Sequence, residues 1–233
     1  MKKILILGAS SDIGIEVIKK LLDLKYIITA HYSSNKKSLK NFKNIKKIKF
    51  DFSKNKKNVT SELEKKFGSN YDCFINLVGF IDNKGFYNFN AENLLKTLKI
   101  NSLFPMIIQR NIIKKMVKNK YGRILNGSSI GVKFGGGKNT FTYAFSKHCM
   151  EFIPSSFKDW SKNNVLINNL RIGVTNTKIH NKINKSISMK KRLNLIPAKR
   201  MAEPSEVADY IVFLISDKNT YITGQTLSIS GGE

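Results

Sequence analysis

Tyr143 and Lys147 stand four residues apart in YAFSK, so on a helix their side chains share a face. An ammonium beside a phenol favours the phenolate and draws a tyrosine pKa of about 10 toward neutrality, which makes the phenol a proton donor and acceptor at working pH. Upstream, GRILNGSSIG places Ser128 and Ser129 at a distance from Tyr143 that lets a hydroxyl bond the same carbonyl oxygen. Asn101, in INSLFP, lies at the junction of two helical runs, where its amide or an exposed backbone group can hold a water against Lys147. Such a set can move a proton at a carbonyl or alcohol oxygen.

A second group of residues suits an anionic nucleotide. GASSDIG brings Gly8, Ser10, Ser11, Asp12, Ile13 and Gly14 between an apolar strand-like run and a helix-like one. In that position backbone N–H groups and a helix N-terminus meet a pyrophosphate, Gly8 permits the turn and Gly14 permits close approach. Taken alone, the stretch also fits a plain strand-to-helix connection. Asp51, closing KFDFS, can accept from an adenine amino group or cap the following helix. Asn76 and Gly79, in NLVG, turn the chain at the carboxyl end of a strand, where ligands of open α/β sheets bind.

Positioning these groups requires a sheet. Runs rich in isoleucine and valine at 3–7, 26–31, 46–50, 72–77, 122–127, 165–170 and 225–229 alternate with helical patterns at 13–24, 57–67, 91–99, 102–118, 143–161 and 205–215. That alternation predicts an α/β fold, a doubly wound, seven-stranded, mostly parallel sheet with helices on both faces. The expectation is a single domain spanning 1–233. Pro154 removes a backbone donor inside 143–161 and is expected to kink that helix. Residues 178–200 are mixed polar and apolar and lysine-rich, with a short helix near 183–193, and read as a substrate lid. Within them Asn181, Lys182, Met189, Lys190 and Arg192 can touch substrate or simply face solvent, and Arg200 and Met201 can help close the lid.

Bulk properties narrow the classes. Cys73 and Cys149 offer neither a disulfide framework nor a paired metal spacing, and His31, His148 and His180 are too dispersed for a zinc pattern, so no metal and a reducing, cytoplasmic setting are expected. No apolar run approaches the roughly 20 residues of a membrane span. The formal charge of +25 attracts anions, but the excess is dispersed lysine rather than clustered arginine, so no specific nucleic acid is expected. His148 and Cys149, next to Lys147, are assigned to helix packing.

Together these motifs resemble the short-chain dehydrogenase/reductase family, from Lys3 to Gly232. GASSDIG is similar to its glycine-rich cofactor motif, Asp51 to its adenine-contacting aspartate, and Asn76-Leu77-Val78-Gly79 to its Asn-Asn-Ala-Gly segment. Asn101, Ser129, Tyr143 and Lys147 are similar to its catalytic tetrad. RIGVTNT resembles the segment lining the nicotinamide, which carries over Ile172 as a backbone contact and Thr177 as the carboxamide partner. The resemblance implies a Rossmann-like NAD(P)-binding fold. It also implies a homodimer or homotetramer built on the helices at 102–118 and 143–161.

The pattern is broken in places. Asp12 replaces the middle glycine and is expected to face solvent or cap the helix. Leu77 and Val78 replace Asn and Ala, and Ile172 replaces a proline. Ser129 precedes Tyr143 by 14 residues, one more than the family's commonest interval, and Gly135-Gly136-Gly137 can absorb the extra residue. Ser128 remains the weaker candidate.

At the end of the second strand, Tyr32, Ser33 and Ser34 lie where an NAD enzyme is expected to show a carboxylate for the ribose 2'-OH. Hydroxyls there, with Asn35, Lys36 and Lys37, suit a 2'-phosphate. NADP(H) is therefore favoured and NAD(H) remains possible. Within the family the chain most resembles the 3-oxoacyl-acyl-carrier-protein reductase-like members, which implies hydride transfer between nicotinamide and a carbonyl or secondary alcohol, with a 3-oxoacyl thioester on an acidic carrier protein suiting the basic surface. A keto-sugar or nucleotide-sugar is the alternative substrate. A non-catalytic dinucleotide- or nucleic-acid-binding protein is the alternative of another class.

Overall fold

The computed structural model describes residues 1–54, 58–178 and 186–233. Seven strands are β1 (Lys3–Leu7), β2 (Ile27–Tyr32), β3 (Lys46–Lys49), β4 (Cys73–Asn76), β5 (Gly122–Ser129), β6 (Val165–Ile172) and β7 (Gln225–Ile229). They form one all-parallel sheet in the order β3-β2-β1-β4-β5-β6-β7. The Rossmann-like α/β arrangement expected from the sequence is thereby met. The order reverses between β1 and β4, and the crevice above that switch point is where such a sheet can receive a ligand.

Among the described residues, the helices are α1 (Asp12–Asp23), α2 (Val59–Phe67), α3 (Ala91–Leu98), α4 (Phe104–Lys118), α5 (Phe141–Glu151), α6 (Phe157–Lys162), α7 (Ser186–Asn194) and α8 (Pro204–Ile215). β1 shows why they lie on both sides. Ile4 and Ile6 join the core shared with Val17, Ile18 and Leu21 of α1 and Ile211 of α8, while Leu5 and Leu7 join the core shared with Leu63 of α2 and Ile108 and Ile112 of α4. Alternate residues of a strand point to opposite faces, so a strand apolar at every position must be covered twice.

Two helix expectations are corrected. The helix expected over 143–161 is two helices, α5 and α6. Proline lacks an N–H and disfavours helical backbone in the residue before it, so Phe152–Ser156 leaves the helix around Pro154 instead of kinking it. The runs expected at 91–99 and 102–118 are joined by a π-helical turn, Lys99–Leu103, which carries Asn101. Among the described residues no helix is long and apolar enough to cross a membrane.

Candidate active site

The carboxyl ends of β1, β2, β4, β5 and β6 open into a cavity of about 1410 Å³. Its floor begins at the turn after β1. Gly8 has φ +72°, and a Cβ there would lie 2.7 Å from the Leu77 carbonyl, so only glycine lets the turn pack on the end of β4. Ser11 caps α1 by accepting from Gly14 N at 3.1 Å and donates to Gly8 O at 2.8 Å. Asp12 and Ile13, the first residues of α1, thus line the cavity at a capped helix N-terminus.

His31 anchors the same turn. Gly8 N donates to its Nδ1 at 3.1 Å and Ala9 N donates to its carbonyl at 2.9 Å. With Nδ1 accepting, the proton sits on Nε2, which donates to Phe50 O at 2.9 Å. Burial holds this imidazole down to about 4, and its ring lies 4.8 Å from that of Phe52. In the sequence His31 stands out only as too dispersed for a zinc pattern; its contact with Gly8 spans 23 residues and comes from the pairing of β1 with β2. Nearby, the Asp51 carboxylate accepts from Ser53 N and Oγ at 2.9 and 2.7 Å, and those bonds hold its pKa below the usual carboxylate range. Ser33, Ser34 and Asn35 line this end of the cavity.

At the other end, α5 brings Tyr143 and Lys147 to one face. Tyr143 shares a hydrogen bond with Ser129, whose Oγ also accepts from Gly131 N at 3.2 Å. Lys147 is 3% exposed and donates to Val78 O at 2.7 Å and Gly127 O at 2.6 Å, tying α5 to the loops after β4 and β5. Burial lowers the lysine to about 8, with the Glu151 carboxylate acting the other way. Burial pushes Tyr143 up to about 12, against the Ser129 bond. This corrects the expected drop toward neutrality: the ammonium is bound by two carbonyls and lies 6.0 Å from the centre of the phenol ring, so desolvation outweighs it.

Asn101 is buried within the π-helical turn. Its Oδ1 accepts from Phe80 N at 2.7 Å, and its Nδ2 donates to Phe80 O and Ser146 Oγ, both at 2.9 Å. The amide is fully engaged and does not line the cavity, so it fastens the loop after β4 to α5 and is not the side chain that holds a water. Ser128 donates to Glu151 Oε1 at 2.6 Å, which leaves Ser129 as the hydroxyl on Tyr143.

Of the other residues singled out, Gly8, Ser10, Ser11, Asp12, Ile13, Gly79, Ile172 and Thr177 line the cavity. Gly14, Tyr32 and Asn76 do not. A Cβ at Gly14 would lie 2.7 Å from Ala9 O, so it packs α1 on the turn, and Tyr32 is buried and accepts from Phe50 N through its carbonyl. Asn76 Oδ1 accepts from Val78 N at 3.1 Å and shapes the turn after β4. Asp12 neither faces solvent freely nor caps α1, because its Oδ2 accepts the backbone N–H of Lys178 at 2.8 Å. His148 is 69% exposed and is not a packing residue within the chain. Met189 and Arg192 of α7 line the cavity, where Arg192 is paired with Glu233. Arg200 forks onto Glu206 instead of reaching that cavity. His180, Asn181 and Lys182 lie outside the described residues, as does the side chain of Lys190. Phe52, Phe80, Ile81 and Lys96 also line the cavity without having been expected there.

These residues fit a dinucleotide. The cavity exceeds the roughly 300–1,000 Å³ of an ordinary small-molecule site, and a Cβ at Gly79 would stand 3.9 Å from the Tyr143 hydroxyl, so glycine leaves the space over the phenol open. Capped helix amides lie at one end and a phenol, hydroxyl and ammonium at the other. Among the described residues no group of His, Cys, Asp or Glu is placed to hold a metal ion.

The family model described as enoyl-(acyl carrier protein) reductase matches residues 8–233, and the chain belongs to the short-chain dehydrogenase/reductase family of NAD(P)-dependent oxidoreductases. Among curated proteins it is 30% identical to the 3-oxoacyl-[acyl-carrier-protein] reductase FabG of Buchnera aphidicola subsp. Acyrthosiphon pisum, over 97% of this chain and 95% of that protein. Among solved structures, a 3-oxoacyl (acyl-carrier-protein) reductase from Agrobacterium tumefaciens C58 with NADP bound matches with a TM-score of 0.86 at 20% identity, covering 100% of this chain and 94% of that one. A putative gluconate dehydrogenase from Agrobacterium tumefaciens matches with a TM-score of 0.88 at 20% identity, covering 99% and 95%. The shared fold therefore does not select a substrate.

Proposed function

We propose that the protein is an NADPH-dependent reductase of carbonyl groups acting on 3-oxoacyl thioesters presented by an acidic carrier protein. The observation that carries this reading is the phenol of Tyr143, hydrogen-bonded to Ser129 and four residues from the buried Lys147, in the same cavity as the capped amides of α1. When bound, the nicotinamide supplies the hydride to the carbonyl carbon. Tyr143, held protonated by burial, gives its proton to the carbonyl oxygen while Ser129 orients that oxygen. Lys147 holds the ribose hydroxyls and supplies positive charge beside the phenol. Asn101 is a positioning residue, keeping Phe80 and α5 in register.

Support for NADPH comes from Ser33, Ser34 and Asn35 at the end of β2, where no carboxylate is present to meet a ribose 2'-OH. Asp51 would then receive the adenine, and Thr177 and Ile172 the nicotinamide. The charge of +25 suits an acidic carrier, as does the kinship with carrier-protein reductases. The chain acts as one domain, with Met189 and Arg192 of α7 bordering the substrate end. It assembles as a homodimer or homotetramer, and a monomer by light scattering would refute that assembly.

The test is a fluorescence titration of NADPH and NADH, followed by loss of 340 nm absorbance with a 3-oxoacyl carrier-protein thioester and with keto-sugars. Thioester-dependent NADPH oxidation, abolished by Tyr143→Phe, is the expected result. NADH bound tenfold tighter than NADPH, or turnover of keto-sugars alone, would overturn the cofactor or the substrate assignment respectively.

A further inference from the structure

Asp12 sits in the glycine-rich turn, at the first position of α1, where a carboxylate is welcome to the helix but unwelcome to a phosphate. The structure gives it a partner 166 residues away. Its Oδ2 accepts from Lys178 N at 2.8 Å, and its Oδ1 lies 3.5 Å from Lys178 Nζ. Lys178 directly follows Thr177, and all three residues line the cavity.

The segment leading to Lys178 is fastened at its other end too. Gly173 N donates to Ile229 O at 2.8 Å, and Thr175 bridges to Ala202. Between that anchor and Asp12, Thr177 has among the described residues only its own Oγ1 bond to Thr175 O at 3.3 Å. A glycine at position 12 would supply neither the acceptor nor the charge.

Building on the dinucleotide reading above, we infer that Asp12 is a positioning residue: it latches Thr177 and Lys178 to the glycine-rich turn. The Lys178 ammonium cancels its charge there. The latch aligns Thr177 along the cavity wall, and the pyrophosphate meets a neutral pair in place of a bare carboxylate. The backbone bond and the ion pair do separate work, because Lys178→Ala keeps the first and removes the second, whereas Asp12→Asn keeps an acceptor and removes the charge.

Two measurements test this. In the cofactor-free protein, amide exchange at Lys178 is expected to accelerate about tenfold or more in Asp12→Ala and to stay within about threefold of the wild type in Asp12→Asn. Equal exchange in the wild type and Asp12→Ala would overturn the latch, as would Asn failing to rescue it. For NADPH, Lys178→Ala is expected to raise Kd about tenfold, and Asp12→Asn with Lys178→Ala to return it to within about threefold of the wild type. An unchanged Kd in Lys178→Ala, or a double variant as weak as the single, would overturn charge compensation. A wild-type protein that binds no dinucleotide would instead remove the functional reading, while the exchange measurement would still decide the latch.

Discussion

Two buried charges one turn apart on α5 are handled in opposite ways. Lys147 faces the cavity and, among the described residues, has only neutral carbonyls, of Val78 and Gly127, as hydrogen-bond partners. Glu151 faces away, takes both Nε and Nη2 of Arg171 at 2.8 and 2.7 Å, and accepts from Ser128. Asn169 Nδ2 donates to the Glu151 carbonyl at 2.7 Å, which joins α5 to β6. A carboxylate with a bidentate partner is electrostatically satisfied, whereas an ammonium with neutral partners stays poised to lose its proton or meet an incoming ligand. The same helix thus carries one charge arranged for chemistry and one arranged for cohesion.

The largest effect belongs to the chemical side. Tyr143→Phe is expected to lower turnover by roughly 10²–10⁴-fold with little change in melting temperature, measured by steady-state kinetics and thermal unfolding. The cohesive side is expected to show the reverse. Glu151→Ala should destabilise the fold by about 3 kcal/mol in urea unfolding, because it leaves Arg171 beside Ser128 without its counter-charge. Lys147→Met, which removes a buried ammonium, should abolish activity without that loss. Equal destabilisation by both would break the contrast.

The two serines sharpen it further. Ser128→Ala is expected to cost about 1.5 kcal/mol of stability while turnover changes less than tenfold, whereas Ser129→Ala should lower turnover about 100-fold with smaller cost to the fold. The last effect is a pH dependence. Folded Lys147 lies near 8 against an ordinary value of 10.5, so between those values the unfolded chain binds more protons and stability rises with pH. Relative to Lys147→Met, the wild type is expected to gain roughly 2–3 kcal/mol between pH 8 and pH 10.5 in denaturant melts. A falling difference would contradict the assignment.

Much of this was legible locally. Apolar runs in β1, β5 and β6 needed no partner to be recognised as strands, and the spacing of Tyr143 and Lys147 put them on one helical face. Glycine at position 8, with its positive φ, announced the turn because few other residues adopt that backbone. Helix ends were less legible: the π-helical turn at Asn101 and the break around Pro154 depend on what α3, α4 and α5 pack against as well as on propensity.

What the sequence by itself determined was the order of elements, the parallel sheet and the residue types at its carboxyl edge, since periodicity and turn chemistry act between near neighbours. Only the tertiary structure decided that Asn101 binds Phe80, that His31 accepts from Gly8, and that Asp12 finds Lys178. Each of these joins residues brought together by strand order and helix packing. Burial, which sets the proton affinities of Tyr143, Lys147 and His31, likewise exists only after the chain has folded.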